Sequence, residues 1–175
     1  MSRIRILPTI SALILTFAIL FGGFQVYKNY ELVRPLVAQL RQIPSVLSVQ
    51  VATTGQSPAV YLKLGPVSDL QTTYSTISTD VTNTLGTPVG IYLQDKSTPY
   101  LRNLYEFMQP TLRQDIAQSE YTRMIADLDQ MAARDGVKAR VTMNAQDIFI
   151  QLAKGNAYLY AIVSYATKSS GVSVQ

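Results

Sequence analysis

The chain of 175 residues opens with a predominantly apolar run, residues 6–26, that contains no ionisable side chain. At 1.5 Å per residue, these 21 residues would form a helix of about 31 Å, close to the thickness of the hydrocarbon core of a bilayer. The run therefore predicts a single membrane-spanning helix. The side chains predicted to face lipid are Ile6, Ile10, Leu13, Leu15, Phe17, Leu20, Phe24 and Val26.

A cleaved signal peptide is the alternative interpretation of this run. Signal peptides have a shorter apolar stretch, of about 7 to 15 residues, and small residues just before the cut. Cleavage after Gly22 or Gly23 would place Leu20 or Phe21 three residues before the cut, where a small side chain is needed. The sequence therefore favours an uncleaved anchor.

Flanking charges predict the orientation of this anchor. Arg3 and Arg5 precede the run, and positive charge beside a membrane span favours the cytoplasmic side. Lys28 and Arg34 oppose this assignment, although a long following domain is translocated largely regardless of its charge. We expect a single-pass protein of the cell membrane with a cytoplasmic N-terminus and an extracytoplasmic C-terminal domain.

Composition restricts the chemistry of that domain. The chain has no Cys and no His, which excludes thiolate catalysis and removes the usual general base and transition-metal ligand. Of the 15 Lys and Arg residues, three flank the apolar run, which leaves 12 against 11 Asp and Glu. A nearly neutral body makes nucleic acid an unfavourable partner. We predict no enzyme activity, no catalytic or cofactor-binding residues and no metal.

Hydrophobic periodicity predicts an α+β body made of two similar units, each with the element order α-β-β-α-β. The predicted segments are 1–28 for the tip and anchor, 29–95 for the first unit, 96–118 for a helical connector and 119–175 for the second unit. In each unit, two helices would cover one face of a three-stranded sheet. The other face would show polar side chains to water: Gln50 and Lys63 in the first unit, and Lys138, Arg140 and Thr142 in the second.

Local signals set the boundaries of these elements. Ser68 with Gln71 matches a capping box, and Gly86 is a helix-stop signal. Thr98 is a candidate cap for the connector, in which Pro110 is expected to break or kink the helix. The last helix is predicted over residues 157–166, and a short last strand over residues 172–174.

The two units match at an offset of 88 residues. Leu36 and Leu40 fall on Met124 and Leu128, and residues 60–64 fall on residues 148–152. This predicts a degenerate tandem repeat, although an α-β-β-α-β order also arises without duplication.

The order of helices and strands resembles that of a known family, and this resemblance covers most of the predicted body. It rests on residues 36–40, 46–51, 60–64, 70–81 and 89–93, and on the second unit over residues 124–174. A membrane helix followed by such units resembles the ring-building motif of envelope proteins in bacterial secretion systems and the sporulation channel. KH-like, ferredoxin-like and pilus-assembly domains have similar orders. The resemblance implies assembly by packing of units side by side, with no reaction catalysed.

Few residues stand out as candidate sites. Residues 157–165 are apolar nearly all around, which predicts either a buried core helix or an oligomer interface at Tyr160, Leu159 and Val163. Asp127, Asp129 and Asp135 could form an acid pair or a divalent-cation site. Asp127 and Asp129 are two apart on a predicted helix and diverge, so a solvated surface explains these residues better.

Two functions from different classes remain. The first is a membrane-anchored structural or assembly component of the bacterial cell envelope, with the lipid bilayer and either a protein partner or a second copy as partners. The alternative is a membrane-tethered sensory module that binds a small molecule, of a class the sequence leaves open, in a pocket between the two units.

Overall fold

A computed structural model describes residues 13, 15–20, 33–52, 59–86 and 89–165. The described body is an α+β fold with two three-stranded sheets, which confirms the predicted fold class. Within the apolar run, residues 13 and 15–20 are helical with exposed side chains, whereas Ile6, Ile10, Phe24 and Val26 lie outside the described residues. In the described part of the chain, no helix is both long enough and apolar enough to cross a membrane.

The first unit has the predicted order α-β-β-α-β. Its elements are α1 (Arg34–Leu40), β1 (Val46–Ala52), β2 (Ala59–Leu64), α2 (Leu70–Leu85) and β3 (Gly90–Gln94). Strand β2 is central, antiparallel to β1 and parallel to β3, because α2 crosses over between β2 and β3. Both helices pack on one face of this sheet around Leu36, Leu40, Ile77 and Val81.

The start of α2 differs from the prediction. Asp69, and not Ser68, is the N-cap, and its carboxylate accepts a hydrogen bond from Thr72 N at 3.0 Å. The capping-box prediction was therefore wrong by one residue. The end is as predicted, since Gly86 has a φ of +66°, a left-handed conformation that glycine adopts at little cost.

The connector is one continuous helix, α3 (Pro99–Gln118), capped by Thr98 as predicted. Pro110 lies inside it, so of the predicted break or kink the break is wrong, and the kink stays a prediction. The missing N–H of a proline removes one helical hydrogen bond. Here buried side chains on both sides of it, Met108 and Leu112, hold the helix against the core.

The second unit departs from the prediction after its central strand. It consists of α4 (Tyr121–Arg134), β4 (Lys138–Met143), β5 (Asp147–Lys154) and β6 (Ala157–Ser164), and all its strand pairs are antiparallel. The predicted helix over residues 157–166 is thus wrong and is replaced by β6. The predicted strand over residues 172–174 lies outside the described residues.

Burial on both faces explains this error. Leu159 and Val163 of β6 pack on the core formed with α3 and α4, whereas Tyr160 and Ile162 pack on the core of the first unit. A strand buried on both faces is apolar at every position, so its period of two disappears from the sequence.

The second sheet is consequently a middle layer. Ile148, Ile150 and Leu152 of β5 face α3 and α4, while Phe149 inserts into the core of the first unit. The prediction that each sheet is covered on one face holds for the first sheet and is wrong for the second, which is covered on both.

The repeat at an offset of 88 residues corresponds to real structural positions. Leu36, Leu40, Met124 and Leu128 are all fully buried on α1 and α4, and β2 matches the central strand β5. The units share α-β-β and differ in how the third strand is joined. Duplication remains a prediction.

Candidate functional site

The two units meet at residues 64–70, the segment that joins β2 to α2, and we call it the 64–70 segment. Two tyrosines of β6 bind its backbone. The Tyr158 hydroxyl donates to Leu64 O at 3.0 Å, and the Tyr160 hydroxyl donates to Gly65 O at 2.9 Å and accepts from Val67 N at 3.0 Å. The rings of these tyrosines stack, with centroids 5.2 Å apart.

Gln151 of β5 binds the same segment through both ends of its amide. Its Oε1 accepts from Leu70 N at 2.9 Å, and its Nε2 donates to Val67 O at 3.2 Å. The Leu70 N–H belongs to the first turn of α2, where no helical partner exists. A buried side chain of the second unit therefore accepts a hydrogen bond from an N–H that has no partner within α2 of the first unit.

Strand β6 is held at its outer edge as well. Asp95, just after β3, accepts from Tyr160 N at 2.9 Å with one oxygen and from Ser97 N at 3.0 Å with the other. Tyr158 N donates to Lys96 O at 3.3 Å. These bonds cover a strand edge that would otherwise be open for pairing with another chain.

A cleft of about 640 Å³ lies beside this junction. Its wall is mostly apolar, with Leu47, Pro66 and Val67 from the first unit, and Leu152, Ala153, Ala157 and Tyr158 from the second. Its charged lining residues are Lys63, Asp95 and Lys96. The alternative function predicted from the sequence places a ligand between the units, but it assigned none of these residues to a pocket.

Leu47 is a large apolar side chain of the cleft that is 60% exposed. The register of β1 against β2 shifts between Val46 and Ser48, which sets Leu47 apart from the regular alternation of the strand. Its side chain lies over Gly65, where a Cβ would be 3.5 Å from Leu47 Cδ2.

A second feature is the uncovered side of the first sheet, which we call the open face and define by Gln50, Tyr61, Lys63, Tyr92 and Gln94. Register pairs Gln50 with Tyr61, Tyr61 with Tyr92, and Lys63 with Gln94. The prediction that Gln50 and Lys63 face water is confirmed. The rings of Tyr61 and Tyr92 stack at 5.1 Å and are 38% and 55% exposed.

Gly90 makes room for the outer ring of this pair. A Cβ at Gly90 would approach Tyr92 Cε2 to 3.0 Å, which is closer than side chains normally pack. Because Gly90 and Tyr92 are two apart on an edge strand, the ring lies over the bare backbone.

The polar side chains predicted for the outer face of the second sheet lie in different environments. Arg140 forms an ion pair with Asp69 of the first unit at 3.1 Å, and the Thr142 side chain is partly buried. The prediction of a solvated face is therefore confirmed for the exposed Lys138 and Arg140 and is wrong for Thr142, because the first unit packs against this side of the sheet.

The residues predicted as an interface lie within the fold of the chain. Leu159 is 5% exposed, Val163 is half-buried, and Tyr160 is half-buried at the junction. The interface stays a prediction, although the helix on which it was based is absent. Burial raises the pKa of the Tyr160 hydroxyl above its usual value, the charge of Asp95 adds to this rise, and the hydrogen bond from Val67 N opposes it.

The carboxylates form no metal centre within the described residues, where no group of three or more acidic side chains has suitable geometry. Asp127 pairs with Arg123 at 3.4 Å on the exposed side of α4.

Sequence reasoning missed Gln151 and the tyrosine bonds, because it placed residues 157–165 in a helix. Gly155 and Asn156, between two apolar runs, were a usable hairpin signal, and Gly155 has the positive φ of +59° that such a turn needs. Comparison with protein-family models, curated proteins and solved structures gave no significant match.

Proposed function

We propose that this chain is a membrane-anchored structural or assembly component of the bacterial cell envelope, which acts by packing its open face against a protein partner. One observation carries the proposal, namely the stacked and exposed pair Tyr61 and Tyr92. Aromatic residues are enriched in protein interfaces because a rigid ring buries much area at a small entropic cost.

The junction inside the chain supports this use of tyrosines. There the stacked Tyr158 and Tyr160 bind the backbone of a neighbouring unit through their hydroxyls. On the open face, the hydroxyls of Tyr61 and Tyr92 have no hydrogen-bond partner within the described residues. They remain available to a partner's backbone in the same way.

The apolar run supports the membrane anchor. The large apolar side chains Leu13, Leu15, Phe17, Ile19 and Leu20 are 62–67% exposed on their helical segment. Leaving such side chains in water is unfavourable by about 25 cal/mol for each Å² of apolar surface, and a bilayer removes that cost.

The partner surface is tested by removing its rings. The double variant Tyr61→Ser/Tyr92→Ser is expected to shift the protein, extracted from its native membranes in mild detergent, from a larger assembly to the mass of the free chain. Phe107→Ser is the matched control, because Phe107 is 71% exposed on α3, a helix that packs on the second sheet. Sedimentation velocity measures the masses. Unchanged assembly in the folded double variant would contradict the proposal.

Orientation is tested by labelling. Because the chain has no Cys, Ser75→Cys on the exposed side of α2 introduces a unique thiol. A membrane-impermeant maleimide is expected to label it in intact spheroplasts. Labelling that appears only after the membrane is permeabilised would place the body on the cytoplasmic side.

A further inference from the structure

We propose that the cleft between the two units binds an amphipathic anion, a molecule with a short apolar tail and a carboxylate or phosphate head. The volume of about 640 Å³ is within the range of pockets that hold small organic ligands. The site is distinct from the tyrosine pair of the open face.

The charges of the cleft select the head group. Lys63 and Lys96 line it, and neither ammonium group forms an ion pair or hydrogen bond within the described residues. Asp95 is the one carboxylate among the residues that line the cleft in the described part, and both its oxygens already accept backbone N–H groups. An ammonium group only donates, so the free polar capacity here suits a group that accepts hydrogen bonds and carries negative charge.

The apolar wall selects the tail. Leu47 is 60% exposed beside Pro66 and the partly exposed Val67, so a bound alkyl chain would cover surface that the fold leaves in water. A simple inorganic anion would leave this wall uncovered.

Besides the exposed Asn156, three uncharged polar side chains line the cleft, and they keep it in shape. The hydroxyls of Tyr158 and Tyr160 and the amide of Gln151 are bonded to the 64–70 segment, which forms one wall. Because these groups are already paired, a ligand does not have to order them when it binds, and less of its binding free energy is lost.

The test uses the full chain in a neutral amphipol and hexyl phosphate as the probe, with methyl NMR signals of Leu47 and Val67 as the readout. Saturable shifts of these signals are expected with hexyl phosphate. Lys63→Gln/Lys96→Gln is expected to weaken binding by about tenfold or more, as for loss of charge-assisted hydrogen bonds. Lys138→Gln, an exposed lysine outside the cleft, is the matched control and is expected to bind as the wild type does.

Several outcomes would overturn the proposal. They are an absence of saturable shifts, equal binding of hexylammonium, equal binding of inorganic phosphate, or unchanged affinity in the folded double lysine variant. Dihexanoyl phosphatidic acid distinguishes the source of the ligand: tighter binding than hexyl phosphate indicates a membrane lipid, weaker binding indicates a single-chain amphiphile, and both support the shared chemistry. Tyr61→Ser/Tyr92→Ser should retain binding, which separates this site from the tyrosine pair, since only Lys63 belongs to both the cleft and the open face.

Discussion

Replacing Gln151 by Met is expected to destabilise the whole body, because this side chain joins the two units. Met has a similar volume, so the change leaves no large cavity. It removes two hydrogen bonds, of 2.9 and 3.2 Å, to Leu70 N and Val67 O. Each bond contributes roughly 1 kcal/mol, and a buried N–H left without an acceptor costs roughly 1 to 3 kcal/mol.

The free energy of unfolding should therefore fall by about 2 to 4 kcal/mol. For a chain of this size, each kcal/mol corresponds to roughly 2 to 4 °C, so the melting temperature should fall by about 5 to 15 °C. Circular dichroism of the full chain in amphipol measures the change. Gln130→Met is the control, because Gln130 is exposed on α4.

Amide hydrogen exchange provides a second readout. The Leu70 amide should lose protection in Gln151→Met and keep it in Gln130→Met. Equal melting temperatures for the two variants, with the Leu70 amide still protected, would refute the idea that Gln151 holds the units together.

Three further changes test the packing and the junction. Phe149→Ala empties a fully buried position between the units and should cost about 3 to 5 kcal/mol in urea unfolding; a loss below about 1 kcal/mol would contradict its place in the core. Gly86→Ala meets open space but keeps a φ of +66°, so it should cost about 1 kcal/mol, and a gain in stability would show that the helix ends differently. The raised pKa of Tyr160 means that the folded state holds this proton more tightly than the unfolded state. The stabilisation that this proton contributes is fully present below about pH 10 and is lost as the pH rises above it. Tyr160→Phe should therefore flatten the fall in melting temperature between about pH 9 and 11. Identical slopes for the two proteins would contradict the assignment.

Much of the first unit follows from its sequence, because its sheet has one buried and one open face. Alternation in β2 places Val60, Leu62 and Leu64 inside and Tyr61 and Lys63 outside. The stop signal at Gly86 and the cap at Thr98 depend only on neighbouring residues, so they are readable without knowledge of the fold.

The secondary structure of the second unit is harder to predict from its sequence, because its sheet is buried on both sides. Apolar and aromatic residues at the first seven of the eight positions of β6 look the same as those of a buried helix. The junction is harder still, since Gln151 and Leu70 are 81 residues apart and no local pattern couples them. Only the correct topology brings them together, which also explains why the lining of the cleft was not foreseen.

The most direct test of the proposed function is photo-crosslinking in the native envelope from position 92. A benzophenone amino acid replaces Tyr92 in one variant and Tyr100 in the control. Tyr100 is 43% exposed, but its hydroxyl donates to Asp135 O, and Lys154 Nζ lies 4.0 Å from its ring centroid. We predict a discrete crosslinked protein band from position 92 and none from position 100. Absence of a band from position 92, or the same bands from both positions, would contradict the assignment of the open face as the partner surface.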